Sequence, residues 1–199
     1  MARLHIILSG FHPRYYLYSK IGQMKTIASI AVFGLISLLQ STSYEDFKLI
    51  DQEIVYQAVF QKEGISYAVL EENYKKNKHI SNIKVAANEM TFDVNDLTVD
   101  YLKFQFSQVE TPLILQTGKF SGKGSVSVRD GRYRVTFDKI MVTGEIGYKS
   151  IKEKEALTGL CSKSNGTQLS QDWMKPNTLG LLGKAFADNF EVKDTDDDW

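Results

Sequence analysis

The chain predicts an α+β fold, a curved antiparallel β-sheet of meander type with helices packed on one face. Three observations carry that expectation. Past Ile83 the apolar residues recur with period two, the spacing that sends alternate side chains to opposite faces of a strand. Asp130-Gly131 joins two alternating runs, Ser125–Arg129 and Arg132–Phe137, as a two-residue hairpin turn does. Leu179, Leu182, Phe186 and Phe190, at spacings of 3, 4 and 4, form one stripe of a helix.

A segment near the start of the chain is expected to address it and not to fold with it. Met24-Lys25, the uncharged run Ile27–Leu39 and the small residues Ser41-Thr42-Ser43 read as a secretory signal peptide over residues 24–43. The apolar run has 13 residues, whereas a spanning helix needs about 20, so a cleaved signal is expected ahead of a retained anchor. No cysteine directly follows the run, which argues against a lipoprotein. Residues 1–23 hold Arg3, Arg14 and Lys20 with no acidic residue and are read as a start assigned too early or as an extended n-region. The expected location is the periplasm or the exterior. The folded domain is expected over residues 44–193, with 194–199 as an acidic tail.

Charge narrows the partners. Of the 24 basic residues four precede Tyr44, and all 24 acidic ones follow Ser43, so the expected mature chain carries four more negative charges than positive. Nucleic-acid binders show the opposite balance, because Lys and Arg must neutralise phosphates. No nucleic-acid partner is expected. Cys161 is the single cysteine, which rules out an internal disulfide, and His79 is the only histidine after the signal segment. A Cys/His metal cluster is therefore absent from the sequence, and neither a metal nor another cofactor is expected.

Element by element, Glu53–Phe60 is rich in β-branched and aromatic residues and reads as a first strand. Gly64 ends it. Ser66 then caps a helix to about Asn77, with Glu71 and Glu72 early, Lys75, Lys76 and Lys78 late, and Val69, Leu70 and Tyr74 as its inner stripe. From Ile83 to Phe106 the pattern predicts strands through Phe92 and Val94, through Leu97, Val99 and Tyr101, and through Leu102, Phe104 and Phe106, with turns at Asn88-Glu89 and Asn95-Asp96. Leu113-Ile114-Leu115 is taken as part of the same meander. Lys119–Gly124 is glycine-rich but lacks the spacing of a phosphate-binding loop and reads as a bend or bulge.

The hairpin fixes a register of its own. Arg129 opposite Arg132 sets Val128 against Tyr133 and Val126 against Val135, so Ser125, Ser127, Arg129, Arg132, Arg134 and Thr136 share the other face. Ile140–Ile146 is expected as a further strand, and Lys149–Asp172 as a long exposed connection with a turn at Asn165-Gly166. The last helix follows Pro176 with Asn177 or Thr178 as cap.

The order of elements and the run Val126–Phe137, with weaker support from the first helix and Asp100-Tyr101, resemble a secreted Bacteroidota family described as a domain of unknown function with a TATA-binding-protein-like fold. The resemblance covers Glu53 to Val142. It implies a TBP-like curved sheet backed by helices and no assigned activity, and it transfers no site residues.

Among candidate sites, Arg129, Arg132 and Arg134 with Ser127 form the best candidate for binding, since guanidinium groups hold carboxylates or phosphates bidentately. The alternative is an ordinary solvated sheet face. No catalytic residues are assigned. His79 has no serine in a nucleophile elbow beside it, Asp194, Asp196 and Asp198 cannot complete a calcium loop, and Asn165-Gly166-Thr167 is read as a turn ahead of a glycosylation acceptor. Carboxylate pairs such as Glu71/Glu72 and Asp93/Asp96 are acid–base candidates, with a charged exposed face as the ordinary explanation. The expected function is a non-enzymatic ligand- or partner-binding domain of the bacterial envelope, whose partner is an anionic small molecule, a glycan or an envelope protein. The alternatives are a small carboxylate-dependent hydrolase and a structural envelope component.

Overall fold

Asp130 and Gly131 both adopt positive φ, 48° and 70°, the pair of left-handed conformations that a type I′ turn requires and that glycine adopts without strain. The turn joins strands β6 (Lys119–Arg129) and β7 (Arg132–Ile146), in the register Arg129↔Arg132, Val128↔Tyr133, Ser127↔Arg134 and Val126↔Val135. The computed structural model describes residues 42–147 and 149–193. Residues 1–23, the signal segment apart from Thr42 and Ser43, and the acidic tail 194–199 lie outside the described residues.

Around this hairpin the sheet assembles from β1 (Ser43–Tyr44), β2 (Phe47–Ile50), β3 (Glu53–Gln61), β4 (Ile80–Val85), β5 (Met90–Leu97) and β8 (Lys149–Ala156). Among the described residues it has eight strands in the order β1-β2-β3-β7-β6-β5-β4, with β8 beside β7, and every pairing is antiparallel. The β3–β7 pairing, Tyr56↔Phe137 to Gln61↔Arg132, joins segments far apart in the chain. Register shifts interrupt β4, β5, β6 and β7, and bulges of this kind bend and twist a sheet. The shift in β6 falls between Ser121 and Lys123, at the glycine-rich stretch read as a bulge.

One face is packed. Helix α1 (Tyr67–Lys75) and the last helix, formed by a π turn at Pro176–Gly180 and α4 (Leu181–Phe190), lie against it. Phe186 is the hub: its ring sits 5.0 Å from Phe137, 5.4 Å from Tyr56, 5.9 Å from Phe47 and 6.0 Å from Phe120, mostly edge to face. Aromatic rings prefer that geometry, and each buries a large area. The predicted stripe Leu179, Leu182, Phe186 and Phe190 is fully buried. The helix begins differently from the expectation: Thr178 accepts from the Lys175 N–H at 3.2 Å from within the first turn, making Lys175 the cap.

Ser66 caps α1, its hydroxyl accepting from Val69 N–H at 3.4 Å. Leu70 and Tyr74 point inward as expected, whereas Val69 is 38% exposed, so the stripe that meets the sheet is narrower than the one assigned.

Four further expectations are corrected. Tyr101–Phe106 forms turns instead of a strand: Phe106 N–H closes on the Tyr101 carbonyl at 3.0 Å, and Lys103 and Lys184 tie the loop to α4 through Asp188 (2.6 Å) and the Phe106 ring (5.5 Å). Its aromatics alternate because they pack from a loop onto the core. Leu113–Thr117 is a short helix, α2, with Ile114 and Leu115 buried; three consecutive apolar residues carry no readable period. Asn95-Asp96 lies inside β5, at its register shift.

Ile140–Ile146 continues β7 and is no separate strand. Beyond it the chain does not run as an exposed connection. Lys149–Ala156 is the edge strand β8, which explains its mixed charge, since charged side chains keep an edge from pairing with other molecules. Helix α3 (Leu157–Cys161) buries Leu157 and Cys161. The small strands β9 (Ser162–Lys163) and β10 (Gln168–Leu169) pair around Asn165-Gly166, both at positive φ.

Candidate ligand site on the open sheet face

The face opposite the helices is largely polar, with Val59 as an exposed apolar exception. Packing fixes which residues reach it: Val126, Tyr133, Val135 and Phe137 are 0–1% exposed against the helices, so the residues between them point outward. Arg129, Arg132, Arg134 and Ser127 therefore lie together on the open face, where they line a shallow concavity of about 260 Å³ with Val59.

Register gives the site its geometry. Val59 of β3 and Ser127 of β6 flank Arg134 in one row across the sheet, and Gln61 and Arg129 flank Arg132 in the next. Like charges directly opposite one another in a sheet destabilise it. The Arg129 Nε lies 3.3 Å from Asp130, an exposed pair that contributes little. Among the described residues no carboxylate pairs with Arg132 or Arg134, so their donors face solvent. Val59, 55% exposed, supplies an apolar floor that the hairpin alone did not reveal. Only the β3–β7 pairing brings it there.

A second, larger concavity of about 710 Å³ occupies the same face toward β4 and β5. Its walls are Asn82, Lys84, Asp93, Lys123, Asp138 and Lys139. Ser125, on its rim, is two residues along β6 from Ser127 of the arginine site, so the two share one strand and one face. Lys123 Nζ and Asn82 Nδ2 donate to the Asp93 carboxylate at 2.6 and 2.8 Å and hold its pKa below the ordinary carboxylate value. These residues were not singled out as a group in the sequence. Their one signal, alternation at Thr91 and Asp93, has no meaning until β5 is paired with β6.

The acid–base candidates separate. Glu71 and Glu72 form exposed pairs with Lys75 and Lys76 at 2.7 and 3.2 Å. Asp93 is tied up as above, and Asp96 N–H bonds Ser121 Oγ at 3.2 Å. His79 Nδ1 sits 3.1 Å from the Asn95 carbonyl, exposed. Burial pushes the Cys161 thiol up to about 12. Among the described residues no three His, Cys, Asp or Glu side chains are grouped to hold a metal ion, and no helix is long and apolar enough to cross a membrane.

No family model matches the chain, and no curated protein matches it. Two solved structures are similar to it. One is a DUF4468 family protein from Bacteroides ovatus, 17% identical, covering 75% of this chain and 93% of its own, with a TM-score of 0.40. The other is a TBP-like protein from Parabacteroides distasonis, 13% identical, covering 71% of this chain and 92% of its own, with a TM-score of 0.41.

Proposed function

We propose that this chain is an exported, non-enzymatic binding domain of the bacterial envelope, and that it holds an anionic group on the arginine concavity of its open sheet face. The observation that supports this reading is the clustering of three guanidinium groups with Ser127 and Val59 around one concavity in which, among the described residues, neither Arg132 nor Arg134 has a carboxylate partner. Such a cluster is unfavourable until an anion arrives, because like charges adjoin across and along the strands. A carboxylate, sulfate or phosphate removes the repulsion and takes paired N–H bonds from each fork. Export rests on the signal-like residues 24–43, and the released chain begins near Tyr44. Intact-mass measurement on periplasmic protein tests that; an uncleaved chain in the membrane fraction overturns it.

Binding is tested by calorimetric titration of the purified protein with inorganic sulfate, citrate and glucuronate, repeated on the triple variant Arg129→Gln, Arg132→Gln, Arg134→Gln. The expected result is binding by the parent and none by the variant, which melts no lower because the opposite face carries the packing. Equal binding by the variant overturns the reading.

A further inference from the structure

Resting on the reading just given, we infer that the ligand of the open face is an oligosaccharide bearing an acidic sugar: its acid group sits on Arg132 and Arg134, and its neutral hydroxyl-rich body lies in the mixed-charge concavity beside them.

Along β7 the outward residues are Arg132, Arg134, Thr136 and Asp138, a row that runs from the arginine site into the larger concavity. At about 3.3 Å per residue the row spans roughly 20 Å, longer than a single sugar. Its chemistry changes along the way. Donors dominate the hairpin end, since its three guanidinium groups accept nothing and Ser127 adds a single hydroxyl. The far end interleaves donors with acceptors: Lys84, Lys123 and Lys139 alternate with Glu89, Asp93 and Asp138, so the formal charges cancel, and Asn82, Thr91 and Ser125 supply neutral groups of both kinds. An anion has no reason to extend into that half, whereas hydroxyl groups, each both donor and acceptor, match it.

The other macromolecular partners fit this surface less well. A phosphate backbone following the row meets the carboxylates of Glu89, Asp93 and Asp138. A protein partner favours an interface core depleted of charge and enriched in aromatic side chains. Here the aromatics of β5, β6 and β7 (Phe92, Phe120, Tyr133 and Phe137) are all buried on the helix side. What remains is a polar, chain-like ligand with one anionic terminus or branch.

The test uses ladders of defined length that keep a single acid group: glucuronate with the aldobiouronic, aldotriouronic and aldotetraouronic acids, in which one glucuronate is carried on neutral xylose, and N-acetylneuraminate with sialyllactose and sialyl Lewis X, beside neutral maltohexaose, each titrated into the whole protein. The expected result is that one acidic ladder gains at least tenfold in affinity from monosaccharide to tetrasaccharide and that maltohexaose does not bind. Lys84→Gln with Asp138→Asn should erase the gain with length and leave the monosaccharide unaffected, whereas Arg132→Gln with Arg134→Gln should erase both. Affinity independent of length, a groove variant that keeps the gain, or no binding by any sugar overturns the inference. Arginine-dependent binding of sulfate or citrate in those same cases leaves the proposed function standing, and its loss as well removes both.

Discussion

The hydroxyl of Tyr133 accepts a hydrogen bond from the Val192 N–H at 2.7 Å while donating to the Phe190 carbonyl at 3.2 Å, and thereby locks the end of the last helix onto the hairpin strand. Tyr74, from α1, donates to the same carbonyl at 2.8 Å. Two tyrosines from different elements thus satisfy backbone groups that a helix terminus leaves open in the core.

The two tyrosines are not equivalent. Tyr133→Phe leaves the Val192 N–H buried without an acceptor, a loss of about 1–3 kcal/mol, whereas Tyr74→Phe leaves the Phe190 carbonyl with Tyr133 and costs about 1 kcal/mol. Urea denaturation of the two variants measures the difference. A Tyr74→Phe variant less stable than Tyr133→Phe contradicts the assignment.

Gly131 is required by conformation, since a Cβ there meets nothing within 4 Å but φ is +70°. Gly131→Val should cost on the order of 1 kcal/mol or more through backbone strain, while Gly131→Asn, which tolerates positive φ, should cost less. Melting temperatures of the pair decide it, and an unchanged Gly131→Val excludes the type I′ turn.

Gly124 is required by space. It pairs with Phe92 across β5 and β6, and a Cβ there would lie 2.2 Å from the Phe92 ring. Gly124→Ala should therefore destabilise by about 1–3 kcal/mol through overpacking. Phe92→Leu made together with it should cost less than the sum of the two single changes, because the smaller side chain vacates the contested volume. Additive losses would show that the two do not compete.

Cys161 is fully buried, with its thiol pushed up to about 12 by desolvation. The thiolate is the reactive form, so a disulfide-exchange reagent at pH 8 should leave the native protein unlabelled for hours and label it promptly in denaturant. Fast native labelling would show that α3 opens readily from the sheet.

Asp93 gives a pH signature. Hydrogen bonds from Lys123 and Asn82 hold its carboxyl below the ordinary value in the folded state, so its contribution is complete above the unfolded value and is lost as pH falls through the folded one. Asp93→Asn should lower the urea midpoint at pH 6 and leave the midpoints of variant and parent closer at pH 2 to 3. A gap that widens in acid reverses the sign and refutes the interaction.

Local signals survived translation into structure where the determining contacts were themselves local. The register from Val126 to Val135 follows from two turn residues, the Ser66 cap from one hydroxyl, and the stripe from Leu179 to Phe190 from helical periodicity. Tyr101–Phe106 misled because alternation is also produced by a loop whose aromatics pack onto the core, and Lys149–Ala156 because an edge strand must carry charge to remain an edge. The arginine cluster was legible for the same reason as the hairpin. Its neighbour Val59 and the whole second concavity were not, since they depend on β3 and β5 reaching β7 and β6 from distant parts of the chain.

The sequence by itself determined the α+β class, the hairpin and its faces, and the buried stripe of the last helix, because each rests on side-chain periodicity or a turn within about a dozen residues. The tertiary structure alone decided which strands are neighbours, how the end of the chain is clamped by Tyr74 and Tyr133, and that the arginines open onto a longer polar surface. Those outcomes depend on pairings whose loop-closure cost is offset only by the core they jointly bury, and no local pattern encodes that balance.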